Sequence, residues 1–288
     1  MQKQKRVAAI HDLSGFGKCS LTVALPILSC AGIEACALPT AFLSTHTGGL
    51  GRCHYHDLTE DLLPTVEHWM RLNLSFDAVY SGFLGSYEQI SIVSDIMDRF
   101  RTEQNLIAID PVMGDFGSLY STYTPRMAEG MIRLCRKADL ITPNMTEAAF
   151  LLGREYHEGP YTRSEIEETL FSLSKLGPGQ VVLTGVWFSS ELLGAAGYCS
   201  ESGTVSYALA PCVKGLYHGT GDIFASVLVS ALLCGRRLND AMQIAVDFTH
   251  ASIRNTHYAG TDPRFGVNFE AQLLQLSQEL NPGSGFYR

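Results

Sequence analysis

Residues 217–235 read Tyr-His-Gly-Thr-Gly-Asp and then Ile-Phe-Ala-Ser-Val-Leu-Val-Ser-Ala-Leu-Leu-Cys-Gly, two halves of opposite character. The second half is apolar on every side, so as a helix it can only lie deep inside a protein, covered by other elements. The first half places two glycines, a hydroxyl and a carboxylate where that helix begins. A helix start leaves backbone N–H groups without partners and carries about half a positive charge, and glycines let an anion approach closely. Asp222, beside such a site, is either a helix cap or a general base, and residue types alone leave both open.

A helix of that kind needs a large core, and 288 residues with 46% hydrophobic and 17% charged side chains can supply one. The net charge of -8 opposes a nucleic-acid surface, since the basic residues are scattered apart from the short Lys3-Gln4-Lys5-Arg6 cluster. The expected partner is a small molecule. The apolar run at 7–10 is too short for the core of a signal peptide, and the apolar region 21–43 is broken by Pro26, Glu34 and Pro39, so neither a leader nor a membrane span is expected. The reading is a soluble cytoplasmic protein.

Eight cysteines form no C-x-x-C pair and fall mostly in apolar runs, as buried reduced thiols do. The stretch Arg52-Cys53-His54-Tyr55-His56-Asp57 concentrates metal-ligating residue types, but no second ligand pair with zinc-site spacing follows it.

Along the chain, strands are expected at 7–11, 33–38, 41–44, 77–83, 106–110, 139–142 and 180–185, and a hairpin at 195–199 and 205–209 about a Ser202-Gly203 turn. Helices are expected at 18–31 despite Pro26, and at 58–74, 87–100, 125–137, 163–176, 239–255 and 269–280, with another beginning at 143–147. Glycine-rich turns follow the first strand at 12–17 and occupy 45–51. Strands alternating with helices over the whole chain argue one domain, residues 1–288, built on a doubly wound, mostly parallel sheet with an antiparallel hairpin toward one edge.

In such a sheet, ligands bind beyond the carboxyl ends of the strands. Those ends hold His11, Asp12, Ser81 to Phe83, Asp110, Thr142 to Glu147, Thr184 and the 219–222 turn. Neither G-x-x-x-x-G-K-[ST] nor a complete dinucleotide fingerprint occurs. Carboxylates dominate and fixed cations are few, so a phosphate site here would draw its neutralising charge from Mg²⁺, with Asp110, Asp115 and Glu147 as hard oxygen ligands or water holders.

The ordered motifs Ser-Thr-His-Thr-Gly at 44–48, Ser-Gly-Phe at 81–83, Asp-Pro-Val-Met-Gly-Asp at 110–115, Thr-Pro-Asn-x-x-Glu at 142–147 and Gly-Thr-Gly-Asp at 219–222 cover most of the chain. Together they resemble the pyridoxal kinase branch of the ribokinase superfamily. The resemblance implies a ribokinase-like three-layer α/β/α sandwich. The activity it implies is ATP-dependent phosphorylation of the 5′-hydroxymethyl group of a B6 vitamer (pyridoxal, pyridoxamine or pyridoxine), with ATP as co-substrate, Mg²⁺ as cofactor and a monovalent cation as a further candidate. By similarity, Asp222 would deprotonate the hydroxymethyl group, and the Gly219, Thr220 and Gly221 amides would stabilise the transferring phosphoryl group. Asp12, Thr47, Gly48 and Phe83 match positions at the pyridine ring. Asp110, Thr142, Asn144, Glu147, Thr184, Val213 and Lys214 match the nucleotide side, with Asp115 and Glu147 at the metal. Residues 117–120 resemble the flap that covers ATP in this family.

Three positions depart from the pattern: Asp12 where serine is common, Leu43 where an aromatic is usual, and Thr45 in place of asparagine. A carboxylate at position 12 would face the ring's polar edge and suit the ring nitrogen or an amine-bearing vitamer. Competing readings are hydroxymethylpyrimidine kinase, a sugar or nucleoside kinase of the superfamily, and a B6-binding protein without turnover. The resemblance also implies a homodimer, for which the loop and helix at 41–70 could supply the surface.

Overall fold

The computed structural model describes residues 4–282; Lys3 of the basic cluster and the end of the polar tail lie outside them. The chain runs β1 (Arg6–Ser14), α1 (Leu21–Cys30), β2 (Glu34–Leu43), β3 (Tyr55–Asp57), α2 (Thr59–Arg71), β4 (Ala78–Ser81), α3 (Tyr87–Phe100) and β5 (Leu106–Ile109). It continues through β6 (Gly114–Asp115), β7 (Ser118–Leu119), α4 (Pro125–Cys135), β8 (Leu140–Ile141), α5 (Met145–Leu152) and α6 (Arg163–Ser174). Last come β9 (Gln180–Ser189), β10 (Leu192–Cys199), β11 (Thr204–Pro211), α7 (Thr220–Leu233), α8 (Leu238–Ala259) and α9 (Leu273–Leu280).

Nine strands form one sheet in the order β11-β10-β9-β8-β5-β4-β1-β2-β3, and β6 pairs with β7 apart from it. From β2 to β9 the pairing is parallel, while β3 at one edge and β10 and β11 at the other are antiparallel. Successive strand residues face opposite sides, and both sides are apolar. Val7, Ala9 and Tyr80 pack with Leu21 to Leu28 of α1, nearly all of α7, the first half of α8 and the end of α9. Ala8, Ile10 and Val79 pack with α2, α3, α4, α5 and α6. This is the expected three-layer α/β/α sandwich with a mostly parallel central sheet. Ile223, Val227 and Leu228 of α7 are fully buried, each worth about 2 kcal/mol on burial.

The structure revises several element bounds. Residues 33–38 and 41–44 are one strand, β2, running through Pro39. Pro39 lies opposite His11, and directly afterwards the register slips so that Leu13 pairs with Phe42. A proline that cannot donate to the ladder is accommodated at that irregularity. The first helix starts at Leu21 rather than 18, because Lys18 and Ser20 have positive φ angles of 52° and 55°. β9 continues to Ser189 and turns at once into β10, so this edge holds a three-stranded antiparallel meander rather than an isolated hairpin. The stretch 52–57 that gathers metal-ligating residue types ends in the exposed edge strand β3.

Candidate active site

β1 has β2 on one side and β4 on the other, while α1 and α3, which follow β1 and β4, cover opposite faces. The crevice where the winding reverses therefore opens at the carboxyl ends of β1 and β4, at Asp12 and Gly82.

The 219–222 turn stands over this crevice. Gly219 caps α7 with φ 78°, and its carbonyl accepts the first helical bond, from the Ile223 amide at 3.1 Å. The amides at 220–222 belong to the first turn and have no partner inside the helix. A side chain at Gly219 would place its Cβ 2.2 Å from the Lys18 carbonyl oxygen, so only glycine fits between this turn and the β1–α1 loop. Gly221, by contrast, faces open space. Thr220 Oγ1 donates to the Tyr217 carbonyl at 3.2 Å. Asp222 is half-buried. Desolvation, with a smaller push from Asp12, raises its pKa to about 7, while the Ser20 backbone amide holds it down.

Beside it, Asp12 is buried and accepts hydrogen bonds from Ser20 Oγ at 2.5 Å and Ser14 Oγ at 3.0 Å. Burial raises its pKa, and the two serines oppose that. Each carboxylate oxygen thus holds a hydroxyl of the chain itself, a use of Asp12 not apparent from the sequence. Phe83 is half-buried and Thr47 exposed. Their neighbour His46 ties the glycine loop down: Nδ1 accepts from the Gly48 amide at 2.9 Å, which leaves Nε2 to donate to the Arg264 carbonyl at 2.7 Å. His218, directly before Gly219, lies 5.1 Å from His46, ring centroid to centroid. Desolvation lowers its pKa and His46 lowers it further, whereas Asp115 raises it. Cys19 also sits here, its thiol pushed well up by burial and then by Asp222 and Asp12. His11 is fully buried, with both ring nitrogens unpartnered and the ring 4.4 Å edge-on from Tyr80. Sequence reasoning missed His46 as the loop's anchor and missed Cys19 and His218; only their adjacency to the glycine turns signalled them.

The other end of the crevice is acidic. Asp110 directly follows β5 and Glu147 lies in the first turn of α5, both buried. Glu147 Oε1 accepts from the Met113 amide at 3.0 Å and Oε2 from the Asn144 amide at 2.8 Å. Asn144 in return caps α5, accepting from the Glu147 amide at 2.9 Å, and donates from Nδ2 to the Gly114 carbonyl at 2.9 Å. Burial raises the pKa of both Asp110 and Glu147, and each carboxylate's neighbours raise it again: Asp222 for Asp110, Asp110 for Glu147. Thr142, buried beside Asp110, works the other way. Asp115 is exposed on the β6–β7 hairpin, whose turn residues Phe116 and Gly117 have φ of 49° and 77°. Two consecutive positive angles make the tight connection a two-residue hairpin needs. The Gly117 amide donates to Thr146 Oγ1 at 2.9 Å, docking the hairpin on α5. Tyr120, just beyond β7, feels Glu147, Asp115, Asp110 and Asp222 together, and its pKa is raised by burial and by all four.

Among the described residues none of Asp110, Asp115 and Glu147 is in an ion pair. Nor do three His, Cys, Asp or Glu side chains there close into a metal cage. A divalent cation that keeps its waters and leans on one or two carboxylates and a phosphate fits this donor set. Thr184 in β9 is bridged to Asn144, its amide donating to the Pro143 carbonyl at 3.0 Å. Half-buried Val213 and exposed Lys214 follow β11. Lys214 lines an open cavity of about 650 Å³ with Tyr217, His257, Thr261, Asp262 and Arg264.

Residues 27–265 match the family described as phosphomethylpyrimidine kinase. The pyridoxal kinase of Bos taurus is 30% identical over 262 residues, 80% of this chain and 78% of its own. The crystal structure of pyridoxal kinase from Lactobacillus plantarum superposes with a TM-score of 0.87 at 33% identity, covering 97% of this chain and 98% of that one. A candidate phosphomethylpyrimidine kinase from Bacteroides thetaiotaomicron, crystallised with pyridoxal, superposes with a TM-score of 0.91 at 40% identity, covering 95% of this chain and 96% of that one. The chain belongs to the phosphomethylpyrimidine kinase family and stands among its pyridoxal kinases.

Proposed function

We propose that this chain transfers the γ-phosphoryl group of ATP to the 5′-hydroxymethyl group of a B6 vitamer, in one ribokinase-like domain. The observation that carries this reading is Asp222: a carboxylate with a pKa of about 7, in the first turn of α7, beside amides without helical partners. A base poised near neutrality accepts a hydroxyl proton efficiently. The vitamer hydroxyl loses its proton to Asp222, its oxygen attacks the γ-phosphorus, and the bond to the ADP oxygen breaks. The amides of Gly219, Thr220 and Gly221 face the charge on the equatorial oxygens, helped by the dipole of α7.

Asp12, Thr47, Gly48 and Phe83 surround the vitamer in this reading, and Thr142, Asn144, Thr184, Val213 and Lys214 hold the nucleotide. Asp110, Asp115 and Glu147 would hold Mg²⁺ largely through water, and the ion supplies neutralising charge to the phosphates. The β6–β7 hairpin covers the reacting groups and excludes water. The pyridoxal bound by the Bacteroides thetaiotaomicron protein, at 40% identity, supports a pyridine acceptor.

The test is ADP release by the purified protein with Mg·ATP against pyridoxal, pyridoxamine, pyridoxine, hydroxymethylpyrimidine, ribose and adenosine. Turnover confined to the B6 vitamers is expected. Turnover confined to hydroxymethylpyrimidine would reassign the acceptor, and tight vitamer binding without ADP release would make the protein a carrier. Exchanging K⁺ for Na⁺ or a bulky organic cation in the same assay tests the monovalent-cation requirement. The reading includes a cytoplasmic homodimer; sedimentation showing only monomer at micromolar concentration would remove the dimer. No helix among the described residues is long and apolar enough to cross a membrane.

A further inference from the structure

The acceptor loop and the phosphate turn are far apart in the chain, and the imidazole of His218 lies against the loop. A Cβ on Gly48 would fall 2.6 Å from both Nδ1 and Cε1 of His218. The Gly48 backbone therefore rests directly on that imidazole. The loop is also held there by His46, whose Nδ1 accepts from the Gly48 amide and would lie 3.1 Å from the same added Cβ, its ring 5.1 Å from that of His218. His218 itself cannot drift, because the next residue is Gly219, wedged against the Lys18 carbonyl oxygen.

We propose that His218 is a positioning residue for phosphoryl transfer: its imidazole is the spacer that sets the distance between the vitamer loop at Gly48 and the amide turn at Gly219–Gly221. Resting on the kinase reading above, this gives His218 a task distinct from that of Asp222. In-line transfer needs the acceptor oxygen and the γ-phosphorus held about 3–3.5 Å apart, and a shift near 1 Å costs on the order of a hundredfold in rate. A flat, rigid ring fixes such a gap, and a shorter side chain leaves the loop free to sag toward the turn. The groups facing the ring are His46 from the loop and Asp115 from the hairpin, with Asp222 further along its own turn.

The test is a cycle of G48A, H218A and the double variant. H218A is expected to lower kcat about tenfold or more and to raise KM for pyridoxal, with KM for ATP unchanged within twofold; H218F, which restores a flat ring, recovers most of that loss. G48A alone collides with the ring, so it too loses turnover. In the H218A background, where the ring is gone, the same change has a much smaller effect, giving coupling of about tenfold between two contacting sites. Thermal midpoints of the four proteins read the same contact without any substrate: G48A lowers the midpoint much more in the wild type than in H218A, where only the 3.1 Å approach to His46 Nδ1 remains. Strictly additive effects in both readouts, or equal rises in KM for pyridoxal and ATP, would overturn the spacer role. A wild-type protein that turns over no B6 vitamer but shows the thermal coupling would instead overturn the kinase reading while keeping the contact.

Discussion

Gly219 and the Lys18 carbonyl oxygen meet so closely that a single methyl group on the glycine would stand 2.2 Å from that oxygen. The turn that starts α7 is thereby locked to the loop that ends β1, and the amides at 219–221 are fixed relative to Asp12 and Ser20.

Gly219→Ala should therefore be far more harmful than a glycine change in a free turn. An alanine held at φ 78° costs about 1–2 kcal/mol, and the collision adds to that. A drop in kcat of at least a hundredfold is expected, with a lower thermal midpoint. Gly221→Ala, whose Cβ meets nothing within 4 Å, should keep the midpoint of the wild type. Equal thermal losses in the two variants would contradict this account.

Asp222→Asn should bind ATP and vitamer nearly normally and lose several orders of magnitude in turnover, because the base and an ordered site are lost together. Near-normal turnover would remove Asp222 as the base. Stability should move the opposite way. The folded pKa of about 7 lies above the ordinary carboxylate value, so the native state binds the extra proton and the wild type loses stability as pH rises from about 4 to about 7. The asparagine variant lacks this loss and should melt higher than wild type at pH 8, with the gap closing by pH 4.

For the wild type, the same pKa predicts that kcat/KM for the vitamer falls below about pH 7 as Asp222 takes up a proton. Asp12 contributes to the raised value, so Asp12→Asn should shift this acid limb toward lower pH. A limb that stays in place would show that Asp12 does not act electrostatically on the base.

Glu147→Gln should raise the Mg²⁺ concentration needed for half-maximal activity. The amide also turns a donor toward one of the two backbone amides that Glu147 accepts, from Met113 and Asn144, so about 1–3 kcal/mol of stability is at risk from an orphaned N–H. Relief of the repulsion from Asp110 offsets part of this. An unchanged Mg²⁺ dependence with a lower melting point would return Glu147 to helix capping alone.

At Gly117 the hairpin turn has φ of 77°, and an added Cβ would lie 2.6 Å from the Tyr156 ring. Gly117→Ala should loosen the hairpin and raise ADP release in the absence of any acceptor, relative to the coupled rate. A ratio equal to that of the wild type would exclude the hairpin as the barrier to water.

The parts of this molecule that could be read from sequence are those where pattern and packing coincide. The all-round apolar run 223–233 could only be a buried helix, and α7 is one. The strand-end residues Asp12, Asp110, Thr142 and Asn144 could be placed because a parallel sheet sends all its carboxyl ends to one rim. What could not be read depends on partners distant in the chain. Pro39 breaks a strand by local rules, yet it continues β2 because the slip opposite His11 in β1 accommodates it. β6 and β7 have two residues each, too short to show alternation. Nor could residue type show that the two oxygens of Asp12 accept from Ser14 and Ser20. Nor does any local signal reveal that His46 lies between Gly48 and Arg264.

That last bond has a consequence for biosynthesis. The carbonyl that holds His46 lies 218 positions further on, after every strand of the sheet and after α8. While the chain emerges from a ribosome, the sheet strands and most helices can be in place before residue 264 appears, yet the vitamin side of the crevice still lacks its anchor. A nascent chain has a scaffold before it has a binding loop, so competence for substrate waits on residue 264.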